Sequence, residues 1–230
     1  MYTTIFIMFI TFFIFLYNLY YISHDDFVIT RKDIPLSKIF NLAFLASIFA
    51  LFFARICFVI FNPEPQYLTL LGFLAFPYFP GLSLIGGIVG GSLFVGLYSK
   101  INKLPVGKII DLFTVSLIGV LPIGFLAVFI TNFGKTSVIF NSLFLTSVVL
   151  CIVFIKIILN FSQKGEIKDG SLSLIFLSVF TLIYFIVRLF TTLKDFSFFD
   201  LETIVLFIII FSSLIILVNH EIMEKILEKK

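Results

Sequence analysis

Seven runs of apolar residues, at 3–22, 38–61, 82–99, 109–132, 137–161, 171–193 and 201–218, are separated by short polar stretches. A run of about 20 apolar residues is what an α-helix needs to cross the hydrocarbon of a bilayer. The pattern therefore predicts an all-α integral membrane protein: a seven-transmembrane helix bundle forming a single transmembrane domain over residues 1–230. The loops are too short to hold a soluble domain. Composition agrees. Hydrophobic residues make up 60% and charged residues 13% of the chain, whereas soluble domains carry about 25% charged residues. So apolar a chain is excluded from the disordered class. A net charge of +3 is too small to imply a nucleic-acid partner. The aromatics, 34 Phe and no Trp, read as lipid-facing surface rather than as base-stacking platforms. Cys57 and Cys151 lie inside apolar runs, where they make neither a disulfide framework nor a zinc motif, and no metal or other cofactor is expected.

The first run has no basic segment before it and no small-residue cleavage site after it, so it reads as a retained helix. Residues 67–78 are apolar too, but too few to span. With Pro77 and Pro80 closing them, they read as an interfacial or re-entrant piece. The alternating charges of residues 219–230 read as a short solvated helix.

Basic residues orient the bundle. Arg31, Lys32, Lys38, Lys100, Lys103, Lys108, Lys164, Lys168, Lys225, Lys229 and Lys230 fall on one side, and only Lys135 and Lys194 on the other. The positive-inside rule then places the N-terminus outside and the C-terminus in the cytoplasm. Such a chain is expected to be a multi-pass protein of a membrane that borders the cytoplasm.

Three basic residues remain inside spans: Arg55, Lys156 and Arg188. An arginine at mid-bilayer costs about 2.5–3.5 kcal/mol on insertion scales, so it faces the bundle interior, a cavity or the headgroups. Lys156 is near enough to the inner end of its run to snorkel. Arg55, Arg188 and the span-ending Asn132 share a depth in the outer leaflet. No acid is deep in a span at that level, and Asp111 lies at the inner end of its own, one turn from Lys108. Guanidinium groups without acidic partners favour an anionic ligand, and phospholipid phosphate is the abundant one. Gly86, Gly87, Gly90 and Gly91 form two overlapping Gly-x-x-x-Gly patterns, which predict close helix packing. They also leave backbone that a lipid headgroup could approach.

Four segments in order carry a resemblance: Phe53-Ala54-Arg55-Ile56-Cys57-Phe58-Val59-Ile60-Phe61-Asn62, Pro80-Gly81-Leu82-Ser83-Leu84-Ile85-Gly86-Gly87-Ile88-Val89-Gly90-Gly91, Lys103-Leu104-Pro105-Val106-Gly107-Lys108-Ile109-Ile110-Asp111-Leu112, and Leu121-Pro122-Ile123-Gly124. Together they resemble the bacterial prolipoprotein diacylglyceryl transferases. The resemblance implies a lipid site at the outer leaflet, with phosphatidylglycerol or another anionic phospholipid and lipoprotein precursors as partners. It also implies metal-free transfer of diacylglyceryl to a cysteine thiol. On it, Arg55 takes the place of the family's helix arginine, Asn132 that of its signature asparagine, and Arg188 that of its late-helix arginine. Ile85, however, stands where the family has a histidine, and Phe129 where it has the signature arginine. Val128, Ser137 and Thr192 also depart from its pattern. The resemblance thus implies a lipid-phosphate clamp kept in part and an acid–base apparatus lost. A non-catalytic phospholipid- or lipoprotein-binding membrane protein is the alternative.

Overall fold

A computed structural model describes residues 2–74, 81–131, 138–158, 167–191 and 200–227. Every regular element among them is helical: α1 Tyr2–His24, α2 Phe27–Arg31, α3 Leu36–Phe61, a 3₁₀ turn Pro65–Tyr67, α4 Leu70–Leu74, α5 Leu84–Ile101, α6 Val106–Thr131, α7 Val138–Val153 running on into a π turn Phe154–Ile158, α8 Ser171–Thr191 and α9 Leu201–Leu227. Six of these, α1, α3, α5, α6, α8 and α9, contain stretches long and apolar enough to cross a membrane. In α7 the corresponding apolar stretch, Ser142–Lys156, is shorter. The π turn inserts into it where the sequence alone suggests one regular helix to residue 161.

Local chemistry sets the ends. Asp26 caps α2, its Oδ1 accepting from the backbone N–H groups of Val28 and Ile29 at 3.0 and 3.2 Å. Pro35 starts α3, and Asn62 followed by Pro63 ends it, because proline cannot continue a helical ladder. Ser83 caps α5 by accepting from Gly86 N–H at 3.2 Å. The tail departs from its expectation: α9 is one unbroken helix from Leu201 to Leu227, with no break at Asn219.

The chain divides into two compact units. One comprises Met1–Phe6 and Tyr20–Ile110. Its centre is the antiparallel pair α3 and α5, with Ile39, Leu42, Ala46, Ala54, Ile85 and Val95 buried. Lys108, at the start of α6, reaches Asp26 at 2.8 Å. The other unit comprises Ile7–Leu19 and Asp111–Lys230. Its centre is the antiparallel pair α8 and α9, with α7 packed on α8 through an edge-to-face contact of Phe154 with Phe176 at 5.7 Å.

Candidate functional site

The pairing of α3 with α5 depends on missing side chains. A Cβ on Gly90 would lie 2.2 Å from the Cβ of Phe53, and one on Gly86 would lie 2.6 Å from the Cβ of Cys57. Gly91 and Gly87 are looser, with Ala50 and Ala54 at 3.3 and 3.5 Å. The rings of Phe49 and Phe94 then stack at 4.2 Å. The packing expectation for these glycines is met. At Gly86 and Gly90 the backbone surface that a headgroup was expected to approach is instead occupied by α3. Ile85 is buried.

Arg55 projects from the same helix pair and is only 3% exposed. Its Nε donates to the carbonyl of Phe73 at 3.1 Å, Nη1 to that of Gly81 at 2.8 Å and Nη2 to that of Gly72 at 2.5 Å. The guanidinium carbon lies 5.2 Å from the Tyr67 ring centre and 5.6 Å from that of Phe58. Three of the group's five N–H donors therefore hold backbone carbonyls, and two aromatic rings lie close to it. The sequence places this arginine in a lipid-phosphate site; the three carbonyls that hold it here are partners the sequence does not indicate.

Arg188 requires a correction. It was expected to lack an acidic partner, yet in the second unit Nη2 binds the Asp200 carboxylate and Nη1 lies 2.9 Å from Glu202 Oε2. Tyr184 adds a hydrogen bond to Glu202 Oε1 at 3.1 Å. The apolar pattern does not announce this pairing, because Asp200 precedes the last apolar run and Glu202 stands at its very start. An antiparallel hairpin brings the start of α9 beside the end of α8, and with it both carboxylates. Asn132 lies outside the described residues. Arg55 belongs to one unit and Arg188 to the other.

A polar junction that the sequence did not announce stands at the opposite end of the α8–α9 hairpin. Asp111 Oδ2 accepts from Gly170 N–H at 2.6 Å and Oδ1 from Ser173 N–H at 2.9 Å. A carboxylate on α6 thus caps the N-terminus of α8, satisfying orphan donors and facing the positive end of the helix dipole. Asp111 was expected near Lys108 because they are one turn apart; it caps α8, and Lys108 pairs with Asp26. Beside this cap, Ser171 Oγ donates to Glu221 Oε1 at 2.5 Å, and Lys168 Nζ donates to the His220 carbonyl at 3.0 Å. Midway along the hairpin, Ser178 and Ser213 hydroxyls meet at 2.8 Å. Among the described residues no group of three or more His, Cys, Asp or Glu side chains is arranged to hold a metal.

By helix length and composition, then, this is a helical membrane protein of several passes, in which Arg55 holds backbone carbonyls and Arg188 holds carboxylates. No protein family, curated protein or solved structure matches the chain.

Proposed function

We propose that the chain is a multi-pass membrane protein similar in build to the prolipoprotein diacylglyceryl transferases, seated in a bacterial cytoplasmic membrane with seven spans and an external N-terminus. In this reading it binds phosphatidylglycerol or lipoprotein precursors and does not carry out the transfer. The observation that carries the non-catalytic half is Arg55. Its guanidinium is buried against three carbonyls, which leaves it poorly placed to neutralise a departing glycerol phosphate. Transfer also needs a base to take the thiol proton, and Ile85 at the expected position is buried and apolar. Losing a general base alone typically costs about 10²–10⁴-fold in rate. The lipid-binding half rests on the four ordered segments.

The test is complementation of a strain depleted of its own transferase, read as thioether-linked diacylglyceryl on a reporter lipoprotein. The expected result is no rescue, with phosphatidylglycerol retained on the purified protein in native mass spectrometry. Rescue at a near-normal rate overturns the non-catalytic half. Purification free of anionic lipid overturns the binding half. Reporter fusions after Lys32 and Gln163 reading cytoplasmic, with one at Asn62 reading external, check the orientation.

A further inference from the structure

The chain between α3 and α5 does not simply cap the two helices from above. Ser83 N–H donates to the carbonyl of Ala54 at 2.9 Å, and Ala54 is seven residues before the end of α3 at Phe61, about 10 Å down the helix at 1.5 Å per residue. Gly81 sits on the ring of Phe58, so closely that a Cβ there would lie 2.1 Å from it. Phe73 of α4 places its ring edge-to-face with Phe52 at 5.8 Å, lower still on α3. Gly72, Phe73, Gly81 and Ser83 therefore lie alongside the last turns of α3. Counting about 20 residues of hydrocarbon from Ile39, next to Lys38, reaches about Phe58. The points of contact thus lie at and below the edge of the hydrocarbon.

Backbone that leaves the helical ladder is tolerated at that depth only where its polar groups find protein partners. Arg55 supplies them to Gly72, Phe73 and Gly81. On the same stretch Leu68, Leu70, Leu71 and Leu74 are 61–79% exposed, and the apolar Ile48, Phe49 and Phe52 of α3 are 41–62% exposed.

We propose that Pro65–Leu74 is a re-entrant membrane insert whose leucine face contacts acyl chains of the leaflet at the C-terminal end of α3, held at that depth by Arg55 as a carbonyl anchor. Arg55 is then a positioning residue for the insert. The proposal does not depend on the chain's activity or on which leaflet is the outer one.

Nitroxide labels at single cysteines test it, with Cys57 and Cys151 replaced by Ala and the full chain reconstituted in phosphatidylcholine–phosphatidylglycerol vesicles. Labels at Leu70 and Leu71 should favour collision with oxygen over an aqueous nickel chelate, as a label at lipid-facing Ile48 does, while a label at Glu64 shows the reverse. Leu70 and Leu71 labels behaving like Glu64 overturn the insert. Arg55→Ala should abolish the oxygen preference at Leu71 and increase label mobility; an unchanged spectrum and depth overturn the anchor. If Arg55→Ala yields no folded protein, Gly72→Ala, whose Cβ would lie 1.8 Å from the Gln66 carbonyl oxygen, displaces the gripped carbonyl with Arg55 intact. The same loss of oxygen preference is expected there, and an unchanged depth again overturns the anchor.

Discussion

The α3–α5 and α8–α9 hairpins solve one problem in two ways. Lipid is as apolar as leucine, so two helices in a membrane gain little from simply hiding apolar side chains. The first pair gains from proximity: Gly86 and Gly90 let the α3 backbone and Phe53 come close, and dispersion accumulates over many short contacts. Its buried charged group, Arg55, holds the carbonyls of Gly72, Phe73 and Gly81 rather than the partner helix. The second pair is stitched by polar side chains at three levels: Ser171 with Glu221, Ser178 with Ser213, and Arg188 with Asp200 and Glu202. The comparison teaches that a membrane hairpin can be specified by what is absent from one face or by what is paired across it. The two choices also make different substitutions dangerous.

The largest effect is expected from filling the first interface. Gly90→Ala forces Phe53 or the α3 backbone to move, and overpacking of this kind costs about 1–3 kcal/mol. Gly124→Ala, with nothing within 4 Å of the added Cβ, should be neutral or mildly stabilising. Unfolding in detergent micelles compares them, and equal stabilities would remove close approach as the basis of the α3–α5 pair.

A smaller loss should follow from unpairing the second hairpin. Arg188→Ala leaves Asp200 and Glu202 facing each other without their cation. Breaking a fully buried pair costs about 3–5 kcal/mol, but the Asp200 side chain is 41% exposed, and solvent screening lowers the expectation to about 1–2 kcal/mol. Adding Asp200→Asn and Glu202→Gln to Arg188→Ala should recover part of the loss. No recovery would mean that the arginine acts by packing rather than by charge.

The smallest effect belongs to the centre of that hairpin. A double-mutant cycle of Ser178→Ala and Ser213→Ala should give a coupling of about 0.6 kcal/mol, the usual scale for hydrogen bonds between membrane helices. Zero coupling would confine the stitching to the ends. Each hydroxyl also has a backbone carbonyl in its own helix, Leu174 for Ser178 and Ile210 for Ser213, which is why the expected coupling is small.

Much of this was legible in the sequence. The helix positions followed from apolar runs, and α3 ends at the Asn62-Pro63 break where the proline requires it. The glycine pattern of α5 announced a packed face, because only missing side chains let two backbones meet. Residues 67–78 read as too short to span, and α4 within them is a five-residue helix. The partners of charged groups were not legible. Lys108 and Asp111 are neighbours in sequence and on one helix, yet each pairs elsewhere, with Asp26 and with the N-terminus of α8.

What the sequence determined by itself is the class: apolar runs of membrane length must become helices, because a backbone in lipid has to bond within its own segment. What only the tertiary structure decided is the fate of the cations. An intramembrane arginine has to be satisfied, but local sequence does not say whether a ligand, a carboxylate or a carbonyl does so. Arg55 found its carbonyls 17 to 26 residues away along the chain, and Arg188 found its acids at Asp200 and Glu202, beside the start of the next helix. Such pairs are made by the folding back of one segment on another, and no periodicity along the chain encodes where that return will fall.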